Sequence, residues 1–575
     1  MIKYSASEYE DEISKTINAW DKGNNIQRLW NGDASLWTGH DENEWLGWMD
    51  LDNPALCETS RIETLADDIK KEGIEYIVLL GMGGSSLCPD MMARTFGKIA
   101  GNPELHILDS TDPLQIQHTQ AKIAFEKALF IVSSKSGSTL EPNILKDYFY
   151  QQLQSKLNKQ DVGDKFIIIT DPGSSLEINA NNQHVKAIFH GLPSIGGRYS
   201  ALSHFGMVPS GLMGIDIKTY LNNAKEMAKA CLPNIAVKDN PAAILGIILA
   251  VCAKDGKDKV TLITSPGIKS IGAWIEQLLA ESTGKQGKGL IPIDQEPVGI
   301  PSVYGDDRVF VYIRLEGDIK DEQDRAVDAL EHTGFVVIRC FVKDKMHLGA
   351  ELFRWEMATA IAGSILGINP FDQPDVEASK IRTKALMDSD VKTGALSQVK
   401  PFFSDNNIEL YADERDAQDL SEHMSATPSI QGYLRAHFNR ISEGNYVDFS
   451  AFIEMSDAHI DLLQQIRTFV RDSTKAATCV GFGPRFLHST GQLYKGGPNT
   501  GVFLQITTDH QKDDIAVPNK PYTFGLVIAA EAQGDFEVLG QRFRRALRVH
   551  VKDENIALLT DLILEALQNS KGDKA

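Results

Sequence analysis

Tyr76-Ile-Val-Leu-Leu-Gly81-Met-Gly83-Gly84-Ser85-Ser86 decides how this chain is read. The apolar run Tyr76–Leu80 is short enough for a strand buried on both faces. The glycines directly after it let the backbone turn tightly, and the next segment reads as a helix. A strand, a glycine turn and a helix in that order make the opening half of a parallel βαβ unit. The rhythm then repeats: His106–Leu108, Leu129–Val132 and Phe166–Thr170 are short apolar runs with longer helical patterns between them. A second series follows with Val260–Thr264, Val309–Ile313 and Phe335–Ile338. The fold class is therefore α/β, two doubly wound parallel-sheet domains packed together, at residues 55–215 and 225–385.

Outside these domains the pattern changes. Residues 1–54 hold five of the seven tryptophans (Trp20, Trp30, Trp37, Trp45 and Trp48) and read as a helical extension packed on a domain. Residues 386–475 turn polar, with Asp405-Asn-Asn and Ala412-Asp-Glu-Arg-Asp, before Ile460, Leu463, Ile466 and Val470 take near-helical spacing. This stretch reads as a connection ending in a packed helix. Residues 476–575 form a mixed extension, with strands at Val502–Thr507 and Phe524–Ala529 and an amphipathic helix near Glu554–Gln568.

With 575 residues, 42% apolar and 24% charged, the chain is globular and too long for a single core. Its net charge of −20 excludes the broad basic face that nucleic acid or an anionic membrane requires. An anionic small ligand would need a local device. The six cysteines are dispersed with no CxxC pair, which suits a reducing compartment. Met1–Lys15 is acidic and has no apolar core, so it is not a secretory signal. A cytoplasmic enzyme is the expectation.

Two loops are candidates for that local device. Gly81–Ser86 resembles GxGxxG with Ser86 in place of the third glycine, and Gly84, Ser85 and Ser86 could offer N–H groups and hydroxyls to a ligand. Alone it is equally a tight strand-to-helix turn, or the start of a dinucleotide fold with Asp109 as the ribose acid. The second loop, Ser133-Ser-Lys-Ser-Gly-Ser-Thr139, packs five hydroxyls, one ammonium and one glycine into seven residues. If Ser138 or Thr139 caps the helix starting near Leu140-Glu141-Pro142, its hydroxyls and the positive helix end converge on one point. Ser134, Lys135, Ser136, Ser138 and Thr139 then suit a phosphomonoester, and the order GxxxxGK[ST] of a triphosphate loop is missing.

Together with Gly196-Gly-Arg198-Tyr-Ser200, these loops resemble the phosphoglucose isomerase family, whose two sugar isomerase (SIS) domains bind sugar phosphates through a Ser/Thr-rich loop. The resemblance spans roughly Leu29 to Lys384. Leu29-Trp-Asn-Gly-Asp-Ala-Ser-Leu-Trp37 is most similar to the isomerase half of bifunctional bacterial transaldolase/phosphoglucose isomerases, and only the isomerase reaction is expected here. That reaction opens the sugar ring and moves a proton between C1 and C2 through an enediolate, so one carboxylate must act as base.

The resemblance implies the roles. Glu281 in Glu281-Ser-Thr-Gly-Lys285 matches the family's proton-transfer base, with Gln277 one helical turn before it. Arg198 matches the arginine that stabilises the enediolate, for which a permanent planar charge is suited. Lys380, ending Asn369-Pro-Phe-Asp-Gln-Pro-Asp-Val-Glu-Ala-Ser-Lys380, matches the lysine at the ring oxygen, and His488 in Leu487-His-Ser-Thr-Gly-Gln492 matches the ring-opening histidine. The usual order is base, histidine, lysine. Here the histidine segment follows the lysine by more than a hundred residues, which implies relocation of the segment or an accidental match.

No cofactor is implied. No metal is implied either, since the fourteen histidines form no HxH or HExxH. The expected partner is a hexose 6-phosphate, with no nucleic acid and no membrane, in a homodimer whose active sites are shared because the family's histidine crosses between subunits. A sugar-phosphate aminotransferase would need an N-terminal cysteine glutaminase. The alternative from another class is a non-catalytic SIS-domain sugar-phosphate sensor, which would keep the hydroxyl loop without needing Glu281, Arg198, Lys380 and His488 together.

Overall fold

The computed structural model describes residues 2–568 apart from 319, 391–398, 406, 425–426, 510–512, 514 and 553–554. Three sheets organise it. The first has five parallel strands in the order Glu104–Leu108, Tyr76–Gly81, Ala128–Ser133, Phe166–Thr170, Ala187–His190. From Tyr76–Gly81 the chain goes first to one side, at Glu104–Leu108, and then crosses to the other, at Ala128–Ser133. The carboxyl ends of Tyr76–Gly81 and Ala128–Ser133 therefore flank a switch point, the place where doubly wound sheets open a crevice for a ligand. Gly81 lies opposite Ser133 there, so both candidate loops start at the same spot.

The second sheet runs Ile2–Ser5, Val336–Val342, Arg308–Leu315, Lys259–Thr264, Ile291–Ile293. Four strands are parallel, and Ile2–Ser5 adds an antiparallel edge. The N-terminal stretch is thus not purely helical. It begins as a strand and continues into helices Glu10–Lys22 and Asn25–Trp30, which bury Trp20 against the core. Trp30 and Trp37 donate their indole N–H groups to the carbonyls of Cys231 and Ala360, at 2.9 and 2.8 Å. Helices Pro241–Lys254 and Leu348–Leu366 fill the same core. Among the described residues no helix is long and apolar enough to cross a membrane.

The third sheet departs most from the sequence reading. Its order is Phe403–Asp405, Ile408–Tyr411, Arg545–Val551, Gly501–Thr508, Tyr446–Phe452, Ala477–Phe482, with the last four parallel. The stretch that reads as a polar connection supplies three of these six strands. Its polarity misleads because Asp448 and Ser450 lie inside a buried strand and bond each other there, Ser450 donating to Asp448. Phe524–Ala529, a strand by its sequence, opens the helix Phe524–Gln541. The Thr523 hydroxyl caps it by accepting from the N–H of Leu526 at 3.3 Å, and burial against the first domain, not strand pairing, explains the apolar run. The C-terminal helix is Ala557–Gln568.

Candidate active site

Helix Ile271–Thr283 carries Gln277 and Glu281 on one face, four residues apart. The Gln277 amide donates to the Glu281 carboxylate at 3.0 Å and to the backbone carbonyl of His488 at 2.9 Å. One side chain thus holds both the base candidate and the histidine segment. The loop from the first domain enters the same space. A Cβ on Gly83, whose φ is +55°, would lie 2.7 Å from the His488 carbonyl oxygen, and one on Gly84 only 2.0 Å from the Gly197 carbonyl oxygen. The glycines that carried little information in the sequence are what let His488 and the Arg198 loop close onto the strand end.

Arg198 is buried, with 1% of its surface exposed. Its Nε donates to Ser282 at 2.7 Å, one terminal nitrogen to Gln373 at 2.8 Å, and the other to the carbonyls of Pro370 and Asp372 at 2.6 and 2.9 Å. The first terminal nitrogen also lies 3.4 Å from Glu281. Four N–H donors are therefore held by protein groups, and beside Glu281 Arg198 acts as an ion-pair partner, through its charge. Lys285 braces the loop that receives it, donating to the Asn369 carbonyl at 2.7 Å and the Asp372 carboxylate at 2.6 Å. Burial, and then the charge of Arg198, pushes the Lys285 ammonium down to about 7.

His488 sits in a short turn, Arg485–His488. Its Nε2 lies 2.7 Å from the carboxylate of Glu141, in the first turn of helix Leu140–Leu157. Burial alone would raise the Glu141 carboxyl. The charge and hydrogen bond of His488 outweigh it and hold that carboxyl below the usual range, with the charge of Lys380 acting the same way. Three residues before His488, Arg485 bridges Asp90 and Asp109 at 2.6 and 2.8 Å, and Ser86 donates to Asp109 at 3.1 Å. Ser86 and Asp109, candidates by sequence for a ligand group and a ribose acid, thus belong to a buried latch on the histidine segment.

The last residue of that segment's motif closes the constellation. The Gln492 amide nitrogen donates to the Gly284 carbonyl and to the Asp375 carboxylate, both at 2.9 Å, and its oxygen accepts from the N–H of Asp375 at 2.8 Å. Residues of the Glu281 and Lys380 motifs meet on it. His488, Glu281 and Arg198 come together within one chain, with the charge of Lys380 acting on Glu141, and Arg485 and Gln492 anchor the late segment to the first and second domains of the same chain. Lys380, on helix Val376–Asp390, pairs with Glu377 at 2.9 Å and remains about half exposed, 47% of its side chain reaching solvent.

In the hydroxyl loop, Ser134 donates to Thr139 at 3.2 Å, and the N–H and hydroxyl of Ser138 reach Ser136 at 3.3 and 3.1 Å. Thr139 occupies the N-cap position without committing its hydroxyl there, so the positive end of an 18-residue helix faces the loop. Lys135 differs from the sequence reading, its ammonium being bound by Asp171 and, at 3.2 Å, by the Leu192 carbonyl. The residues that sequence reasoning missed, Glu141, Lys285, Arg485 and Gln492, all lie within or beside runs already singled out. What hid them is that a partner across the fold leaves no mark in local spacing.

Comparison with known proteins supplies the family. A family model described as phosphoglucose isomerase matches residues 60–295. The glucose-6-phosphate isomerase of Campylobacter jejuni is 30% identical over 363 residues, 56% of this chain and 87% of the relative. That of Methanocaldococcus jannaschii is 30% identical over 343 residues, 54% of this chain and 83% of the relative. Among solved structures, a hypothetical protein of Thermus thermophilus shares the fold with a TM-score of 0.57 at 20% identity, covering 67% of this chain and 99% of the other. By its identity to these relatives over most of their length, the chain belongs to the phosphoglucose isomerase family.

Proposed function

We propose that this chain interconverts glucose 6-phosphate and fructose 6-phosphate by ring opening followed by proton transfer through an enediolate. The observation that carries the reading is the meeting of Glu281, Arg198 and the His488–Glu141 pair around Gln277, beside the Ser134–Thr139 loop. In this reading the phosphate sits on the hydroxyls of Ser134, Ser136, Ser138 and Thr139 and the helix end behind them, with Lys135 contributing backbone while Asp171 holds its ammonium. Gly84 and Ser85 line the sugar side.

His488, oriented by Glu141, passes a proton between the anomeric hydroxyl and the ring oxygen as the ring C–O bond breaks, and Lys380 approaches that oxygen. Glu281 then takes the C2 proton while the C2–H electrons form the C1–C2 double bond and the carbonyl electrons move onto O1. The O2 proton passes to O1, and as the O2 electrons form the C2 carbonyl the electrons of the C1–C2 double bond take the proton back from Glu281 at C1, which gives the ketose. The charge of Arg198 beside Glu281 stabilises the oxygens that become electron-rich. Each chain carries a complete set of these groups, so a homodimer would hold two independent sites. The six cysteines are thiols, which suits a cytoplasmic enzyme.

The test is a coupled assay converting fructose 6-phosphate to glucose 6-phosphate in EDTA. Turnover in chelator is expected. Absence of turnover with either sugar, or its restoration only by a divalent ion, would overturn the reading.

A further inference from the structure

Helix Phe524–Gln541 belongs to the third α/β unit, yet it packs on the first domain. Phe524, Val527 and Ala530 share a core with Ile144, Leu145 and Tyr148 of helix Leu140–Leu157, and Tyr148 meets Phe524 edge to face at 5.7 Å. That contact brings Glu531, 3% exposed, onto Glu141, 5% exposed. The two buried carboxyl groups lie close enough for the charge of Glu141 to act on Glu531. One Glu531 oxygen also accepts from the Thr111 hydroxyl at 2.7 Å. Two neighbouring carboxylates taken out of water repel each other and can share a hydrogen bond only when one of them carries a proton. The surroundings say which. His488 lies 2.7 Å from Glu141, and the charge of Lys380 also acts on Glu141, whereas Glu531 faces Thr111 and Glu141 and no cation among the described residues.

We infer that Glu531 is a neutral carboxylic acid that donates its proton to a hydrogen bond with Glu141, leaving Glu141 as the single carboxylate on His488 and making Glu531 a positioning residue for ring opening. The arrangement steadies the Glu141 carboxylate in one orientation and spreads its charge. Burial, followed by the charge of Glu141, holds the Glu531 carboxyl well above the usual range, in line with the geometry. Groups facing the pair come from three elements: Thr111 from the loop after Glu104–Leu108, Lys380 from helix Val376–Asp390 and His488 from its turn. The positioning role rests on the isomerase reading, whereas the proton on Glu531 does not.

The test uses the whole chain with Glu531→Gln and Glu531→Leu. Glutamine keeps a donor to Glu141 and stays neutral, so kcat/KM should remain within about twofold and its pH profile should not move. Infrared spectra at neutral pH should lose one protonated-carboxyl band relative to wild type. Leucine removes the donor, which strengthens the Glu141 anion, and the limb of the profile lost in His488→Ala should move to higher pH by about half a unit. A Gln variant with no lost band, or with a profile shifted to lower pH, would show that Glu531 is ionised and overturn the inference. A Leu variant with the wild-type profile would overturn the positioning role. If Leu fails to fold, the Gln variant decides. If the enzyme turns over neither sugar, the infrared band decides the proton and the NMR resonance of the His488 ring N–H, expected to shift in Leu and hold in Gln, decides the contact.

Discussion

Replacing Arg485 by methionine should free the histidine segment, and the structure sets the size of the effect. Arg485 is the shared cation of two buried carboxylates, Asp90 at 2.6 Å and Asp109 at 2.8 Å. Removing one partner of a buried pair costs about 3–5 kcal/mol. Asp90 keeps Arg94 at 2.8 Å, so one of the two carboxylates retains a cation, and the lower figure, about 3 kcal/mol, applies. Since about 1.4 kcal/mol is a factor of ten, opening of the segment around His488 should become more frequent by about a hundredfold. Hydrogen exchange over residues 483–492 reads that opening, and the coupled assay reads its effect on kcat.

The penalty should also depend on pH. Burial, with the charge of Asp90, raises the Asp109 carboxyl even in the intact protein, and losing Arg485 removes the main opposing influence. A carboxyl raised on folding is tolerated below its unfolded pKa and costs stability as pH rises through its folded value, so Arg485→Met should lag wild type most at high pH and recover as pH falls. A triple variant, Arg485→Met with Asp90→Asn and Asp109→Asn, should regain stability because no unpaired charge is left buried. Unchanged exchange over 483–492 together with unchanged kcat in Arg485→Met would refute the latch.

Three further outcomes follow from the site. Glu281→Gln should lower kcat by roughly 10²- to 10⁴-fold with substrate still bound, checked by steady-state kinetics and a binding isotherm. Ser136→Ala with Thr139→Ala should raise KM more than it lowers kcat, because the phosphate is remote from the reacting carbons; a pure kcat defect would move the phosphate to another loop. Mixing Glu281→Gln with His488→Ala chains and allowing them to exchange should restore no activity, because each chain supplies its own histidine, whereas recovery in verified mixed assemblies would show that the segment crosses between subunits.

The inner strands of the first two sheets were legible because a strand buried on both faces is a short apolar run, and Phe166–Thr170 begins and ends where the sequence puts it. The third sheet was not legible for the converse reason. Tyr446–Phe452 is interrupted by Asp448 and Ser450, which bond each other inside the buried strand, and Ile408–Tyr411 is an outlying four-residue strand. Helix Phe524–Gln541 was misread because a helix buried on most sides loses its 3.6-residue pattern, and its first six residues then look like a strand. At the site, the residues of Glu281–Lys285 and Leu487–Gln492 could be picked out by type and spacing, but which groups they bind could not. Arg198 illustrates this: the sequence offers a free guanidinium, and the fold binds it to Ser282, Gln373 and two carbonyls, with Glu281 as its ion-pair partner.

Chain order is not what this site must preserve. The proposed proton transfer needs the His488 ring on Glu141, the His488 carbonyl on Gln277 and the Lys380 helix close by, and any connection that meets those distances would serve. An accidental Leu-His-Ser-Thr-Gly-Gln run could place a histidine near a carboxylate, but it would have no reason to set Gln492 on both Gly284 and Asp375, one in the base motif and the other in the lysine motif. Nor would it require the glycine at position 83 that the His488 carbonyl crowds. The arrangement demands a close helix contact from the third unit: a Cβ on Gly534 would lie 2.7 Å from the Thr383 hydroxyl, so only glycine lets helix Phe524–Gln541 lie against the Lys380 helix and still bring Glu531 to Glu141. The same unit that displaced the histidine in sequence thus returns it in space and braces the lysine helix beside it, which makes the late segment a working part of the site.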